Sequence, residues 1–150
     1  DIITVENYNN SANKKLTQPF IDFCSETLNF QFNDNIELIN DNLYYVNKTM
    51  PNMKGIRVLR SGWHLGEITK NRFEPSHALA LALNKNDFKN FVDFKADDIN
   101  VIKYLKGETL ENTNAKNGWC VICVDGFPLG WGKAQNGRIK NKYPVNWKWE

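Results

Sequence analysis

The sequence predicts an α+β fold, a small and strongly bent sheet or incomplete barrel of short, mostly antiparallel strands with helices packed on it. Three observations predict it. Within "GWCVICVDGFPLGWGKAQNGRIK", Asp-Gly at 125–126 and Asn-Gly at 136–137 are short-loop hairpin signals flanked by strand-like residues. The stretches "LTQPFIDFCSETL" and "DDINVIKYLKG" carry apolar residues at helical spacing. The 150-residue chain is 41% apolar and 24% charged, the balance of a domain that buries a core.

The elements follow in chain order. "DIITVENYNNSANKK" is polar, lacks an initiating Met and a signal-peptide apolar region, and is expected to be a linker over residues 1–15 of a longer protein. In the first helical stretch Leu16, Phe20, Phe23 and Thr27 share a face. Thr17 is expected to cap it and Pro19 to sit in its first turn, where the missing N–H costs nothing. "IELINDNLYYV" alternates around the turn chemistry of "NDN" and reads as a hairpin, completing a small subdomain over residues 16–54.

From Gly55 onward a second domain, 55–150, is expected. "GIRVLRSGWHLGEI" reads as a hairpin turning at Ser61 and Gly62. "EPSHALALAL" alternates like a strand, but Pro75 and the strong helix formers after it decide for a helix. "DDINVIKYLKG" has acids in its first turn, Ile99, Ile102 and Leu105 on one face, Lys103 and Lys106 at its end, and Gly107 just past it. The last third is a β-meander.

The net charge of +2 conceals a gradient. Residues 1–50 hold three Lys against seven Asp and Glu, and the remainder holds sixteen Lys and Arg against ten. Such asymmetry favours an anionic partner such as nucleic acid, although a solvated basic surface has the same composition. Cys24, Cys120 and Cys123 are an odd number without disulfide-framework spacing, which points to a reducing, cytoplasmic compartment. No apolar run reaches membrane-spanning length, so no membrane partner is expected.

The charge concentrates at the end of the chain, where Lys133, Arg138, Lys140, Lys142 and Lys148 interleave with Trp131, Tyr143, Trp147 and Trp149. A two-residue turn at Asn136-Gly137 sets Gln135 opposite Arg138, Lys133 opposite Lys140 and Trp131 opposite Lys142. One face then gathers four cations and Trp131, while Ala134 and Ile139 take the core side. Lysines on an edge strand also discourage aggregation without any ligand. Four cations beside several rings, with no interleaved acid, favour nucleic acid, whose phosphates meet the cations and whose unpaired bases meet the rings. Gly130 and Gly132 leave one strand face without side chains, either for a barrel corner or for close approach of a ligand.

Residues with catalytic associations lack a setting for them. Cys120 and Cys123 form C-x-x-C, but an odd separation along a strand sends the sulfurs to opposite faces, so buried thiols are expected in place of a metal site. His64 and His77 stand in no motif that supplies a nucleophile, and no nucleotide-binding glycine loop is present. The chain is not expected to be a catalyst or to hold a cofactor.

The run "GIRVLRSGWHLGEITKNRFEPSHALALAL", then "YLKGETL", "DGFPLGWGK" and "GRIKNKYP", resembles the C-terminal region of bacterial RNA 5-methylcytosine methyltransferases of the Sun/Nop (RsmF-like) family. "YLKGETL" with the meander also resembles PUA-type RNA-binding modules. The resemblance implies a PUA-like pseudo-barrel that seats RNA, small-subunit rRNA in particular, for an N-terminal methyltransferase domain using S-adenosylmethionine. It places RNA contacts on Gly130, Trp131, Gly132, Lys133, Arg138, Lys140, Asn141, Lys142 and Tyr143. Further contacts are implied at Arg57, Arg60, His64, Lys70 and Arg72, with Gly107 and Glu108 bordering the groove. The alternative is a structural module packed on the catalytic domain, with incidental RNA contact.

Overall fold

A computed structural model describes residues 2–3, 11–30, 32, 36–45 and 62–150. Among these, four tight turns run through a pair of residues with positive φ: Asn40 and Asp41 (47° and 69°), Lys70 and Asn71 (51° and 61°), Asp125 and Gly126 (46° and 85°), and Asn136 and Gly137 (53° and 81°). Two successive residues in this region give the type I′ geometry whose twist matches the flanking strands. Each turn therefore fixes a hairpin register.

The chain folds into two compact units, one of Asp1–Ser25 with Phe30–Leu79 and the other of Glu26–Asn29 with Ala80–Glu150. The first holds an antiparallel five-stranded sheet in sequential order: β1 (Ile2–Ile3), β2 (Ile36–Ile39), β3 (Asn42–Tyr45), β4 (Trp63–Thr69) and β5 (Arg72–Pro75). Helix α1 (Ser11–Thr27) starts before Thr17, so Thr17 is a buried helical residue, not a cap, and Pro19 lies in the interior. An interior proline costs about 3 kcal/mol. Burial of Phe20 and Phe23 offsets it, at roughly 1.5–3 kcal/mol each, and both rings pack on Phe73 at 5.0 and 4.8 Å between centroids.

Two expectations change here. The described hairpin of β4 and β5 turns at Lys70 and Asn71; the stretch expected to turn at Ser61 and Gly62 begins outside the described residues. Because β4 pairs with β3, this hairpin completes the first sheet, and the boundary between the units falls at Leu79, not at residue 55. Pro75 ends β5 opposite Gly66, and α2 (His77–Ala82) begins after Ser76, whose Oγ accepts from the N–H of Leu79 at 3.1 Å.

The second unit is built on a four-stranded sheet in the order β6 (Phe91–Phe94), β7 (Gly118–Val124), β8 (Phe127–Gln135) and β9 (Arg138–Asn141). β6 runs parallel to β7, with helix α3 (Ile99–Leu105) in the crossover. The other pairs are antiparallel hairpins. Leu110 exchanges two backbone hydrogen bonds with Ile139, 3.1 and 2.8 Å, and so covers the outer edge of β9. The core collects Val92, Tyr104, Leu110, Ala115, Cys120, Ile122, Ala134 and Ile139. The architecture is α+β with mostly antiparallel strands, as expected.

Helix α3 is bounded by the signals read in the sequence but turns a different face inward. Asp98 caps it by accepting from the N–H of Asn100 at 2.9 Å. At the other end Gly107 has φ +85°, its N–H reaches Tyr104 O, and the N–H of Glu108 reaches Lys103 O, the full Schellman pattern. The buried residues are Val101, Tyr104 and Leu105, whereas Ile99 and Ile102 are 65% and 47% exposed. Both stripes have helical spacing, and the Tyr104 hydroxyl decides between them by donating to Trp131 O, 2.8 Å away in the core.

Candidate nucleic-acid interface

The site grows from the β8–β9 turn. Asn136 and Gly137 set Gln135 opposite Arg138 and Lys133 opposite Lys140, the pairing read from the sequence. Ala134 and Ile139 point into the core and Lys133, Gln135, Arg138 and Lys140 outward. Beyond the ladder, the N–H of Lys142 bonds Trp131 O at 3.2 Å and carries the cationic row one step further. A shallow groove of about 950 Å³ runs along this end, bordered by Lys133, Gln135, Asn136, Arg138, Lys140 and Glu111.

The charges on this face are largely uncompensated. Arg138 pairs with Glu111 at 3.1 Å, and both groups are more than half exposed. Among the described residues Lys133, Lys140 and Lys142 make no ion pair. Exposed like charges opposite one another cost tenths of a kcal/mol. Polyanion binding would reverse that sign.

An aromatic residue absent from the sequence reading occupies the middle of the face. Trp119 of β7 lies opposite Lys133, with the Lys133 and Lys142 ammonium groups 5.2 and 5.6 Å from its ring centroid. Each such contact is worth about 0.5–1 kcal/mol at an exposed site. The clue is the register of β7 on β8. Counted out from Asp125-Gly126, Trp119 falls opposite Gly132, but the ladder slips by one residue at Ile122 and Cys123, leaving Leu129 without a partner.

Trp131, expected on the cationic face beside the lysines, is only 2% exposed. Phe88 meets it edge-on at 5.4 Å and Trp119 at 6.1 Å, so its ring is covered by side chains. Gly132 answers a packing need: a β-carbon there would lie 2.3 Å from Ile139 Cγ2, so the close approach comes from the core. Gly130 is buried opposite Ile122, beside the register slip, where the strand bends.

Asn141 is fully engaged within the domain. Its amide nitrogen donates to Tyr104 O at 2.8 Å and Glu108 O at 2.9 Å, and its Oδ1 accepts from the N–H of Tyr143 at 2.8 Å. Tyr143 is half-buried between the rings of Tyr104 and Trp147, 5.4 and 6.4 Å away. Gly107 lies under the aliphatic stem of Lys148, and a β-carbon there would meet Lys148 Cε at 2.5 Å. Gly107 and Glu108 thus join α3 to β9 and the C-terminal segment.

The remaining candidates belong to the first unit or lie outside the described residues. His64 Nε2 is 2.9 Å from Asn42 Oδ1, and its ring packs beside Tyr44 at 5.2 Å. Lys70 and Arg72 are exposed at the β4–β5 turn. Arg57 and Arg60 are outside the described residues. All three cysteines are buried free thiols, each pushed up to about 12 by burial. A thiol so poised is the reverse of an activated nucleophile.

A bent sheet with a helix–glycine junction and a cationic hairpin defines a PUA-like α+β domain, here preceded by another α+β unit. Two domain models of the RsmF rRNA methyltransferase family match this chain. Residues 22–83 match the model described as the RsmF rRNA methyltransferase first C-terminal domain, and residues 91–149 match the methyltransferase RsmF PUA domain. Two curated relatives, each named ribosomal RNA small subunit methyltransferase F, come from Shewanella sp. (strain W3-18-1) and Shewanella putrefaciens (strain CN-32 / ATCC BAA-453). Each is 26% identical over 138 residues, covering 89% of this chain. The chain spans 28% of the length of these relatives.

Proposed function

We propose that this chain is the RNA-binding accessory region of an S-adenosylmethionine-dependent rRNA (cytosine-5) methyltransferase, and that it positions small-subunit rRNA for an N-terminal catalytic domain in the cytoplasm. One observation carries the reading: Lys133, Lys140 and Lys142 lie on one outward sheet face with no carboxylate paired to them among the described residues. These cations neutralise phosphates, and release of the phosphate counterions drives association. We assign the cofactor and the reacting nucleophile to the catalytic domain; that burial pushes the thiols of this chain up to about 12 supports the assignment of the nucleophile. The relatives' names support ribosomal RNA of the small subunit as the partner.

The test is the salt dependence of binding. With Lys133, Lys140 and Lys142 all changed to Glu, the slope of log affinity against log salt on unpaired RNA falls by about 2, at roughly 0.7 per phosphate contact. An unchanged slope and affinity in that triple variant would falsify the reading. The exposed Val145, Trp147 and Trp149 favour a second reading, in which the chain packs against the catalytic domain and touches RNA only incidentally. That reading predicts that the isolated chain ignores an rRNA fragment at both low and high salt.

A further inference from the structure

We infer that Trp119 is a stacking platform for one unpaired base, flanked by Lys133 and Lys142 as phosphate grips, so that this face takes single-stranded in preference to duplex RNA. The inference rests on the RNA-binding reading above and adds to it the form of the RNA and the residue that reads it.

The geometry favours Trp119 over the rings the sequence brings to mind. Trp131 is buried, and Tyr143 is packed between Tyr104 and Trp147. Trp119 is half-buried, and its contact with Trp131, 6.1 Å at 77°, braces the indole at its position on the sheet. Lys133 and Lys142 approach it from β8 and from the segment after β9, so two ammonium groups converge on one ring. Cation–π contacts at such a site are weaker than stacking of a base on an indole. A nucleotide therefore displaces the ammonium groups from the ring, and their flexible stems carry them to the phosphates on either side. Glu111, the carboxylate paired on this face, is held by Arg138. A duplex keeps its bases stacked on one another and offers the lysines only its backbone.

The experiment uses the whole 150-residue chain, a short unpaired oligoribonucleotide, and the blunt duplex of the same sequence, at low and high salt. The wild-type chain binds the unpaired strand more tightly than the duplex. Trp119→Leu weakens unpaired-strand binding on the order of tenfold, as loss of one stacked base does, while the salt slope and duplex affinity stay as in wild type. Trp119→Phe keeps most of the affinity but lacks the indole emission quenched by a stacked base. It also serves as the folded comparison should the leucine variant melt early.

Equal losses on duplex and single strand, or a full quench retained in Trp119→Phe, overturn the inference. If the triple lysine variant shifts the salt slope while both Trp119 variants bind as wild type, the stacking role alone falls. If the slope does not move, the RNA-binding reading itself falls.

Discussion

The side-chain amide of Asn141 donates to the carbonyl of Tyr104 at 2.8 Å, and to that of Glu108 at 2.9 Å, tying the C-terminal turn of α3 to the end of β9. Tyr104 O also accepts from the N–H of Gly107 at 2.9 Å, so Asn141 adds a second donor to it and one to the chain just past the helix. Asn141 therefore holds the helix–glycine junction against the cationic strand. Asn141→Ala is expected to lower stability by about 1–3 kcal/mol, the cost of losing its hydrogen bonds to Tyr104 O, Glu108 O and the Tyr143 N–H. Urea denaturation measures the loss, and the salt slope of RNA binding should be unaltered in the variant that remains folded.

Gly132 faces Ile139, whose Cγ2 occupies the space of an added β-carbon. Gly132→Ala is expected to cost about 1–3 kcal/mol through overpacking. A thermal melt checks this. Wild-type stability in the variant would show that the strand shifts freely and that Ile139 does not require the glycine.

Burial holds the thiols of Cys24, Cys120 and Cys123 up to about 12. Reaction requires both access and the thiolate. At pH 8 the folded chain is expected to resist alkylation at all three, and the denatured chain to react at all three. Mass spectrometry after a timed iodoacetamide pulse distinguishes these states. Rapid modification of any one in the folded chain would contradict its burial.

Burial lowers the pKa of His77 from 6.5. The unfolded chain thus takes up this proton at a higher pH than the folded one, and stability rises with pH between the folded value and 6.5. Acidification below 6.5 is expected to destabilise the fold, with no contribution from this residue well above that pH. His77→Gln should flatten that part of a stability–pH profile. A profile identical to wild type would assign the acid sensitivity to other groups.

Much of the framework was legible because short segments dictate it. Asp125-Gly126 and Asn136-Gly137 supply the positive φ their turns require, and Asp98 and Gly107 bound α3 by local hydrogen bonds. The Lys70-Asn71 turn was less legible, since neither residue is glycine and its φ values of 51° and 61° are held by the pairing of β4 with β5. The cationic row on Lys133 and Lys140 followed from the second turn alone, and Trp119 did not. Its place opposite Lys133 depends on the extra residue, Leu129, in β8.

By itself, then, the sequence determined three of the four described turns, the ends of α3, the α+β class and the strand bearing the unpaired lysines, because each rests on the conformational preferences of adjacent residues. Only the tertiary structure decided which surfaces are covered. Phe88 and Trp119 close over Trp131, the Tyr104 hydroxyl draws Val101, Tyr104 and Leu105 inward in place of Ile99 and Ile102, and both amide hydrogens of Asn141 turn toward α3. Burial is a property of distant partners brought together, and periodicity along one strand or helix does not specify which of two apolar faces those partners meet.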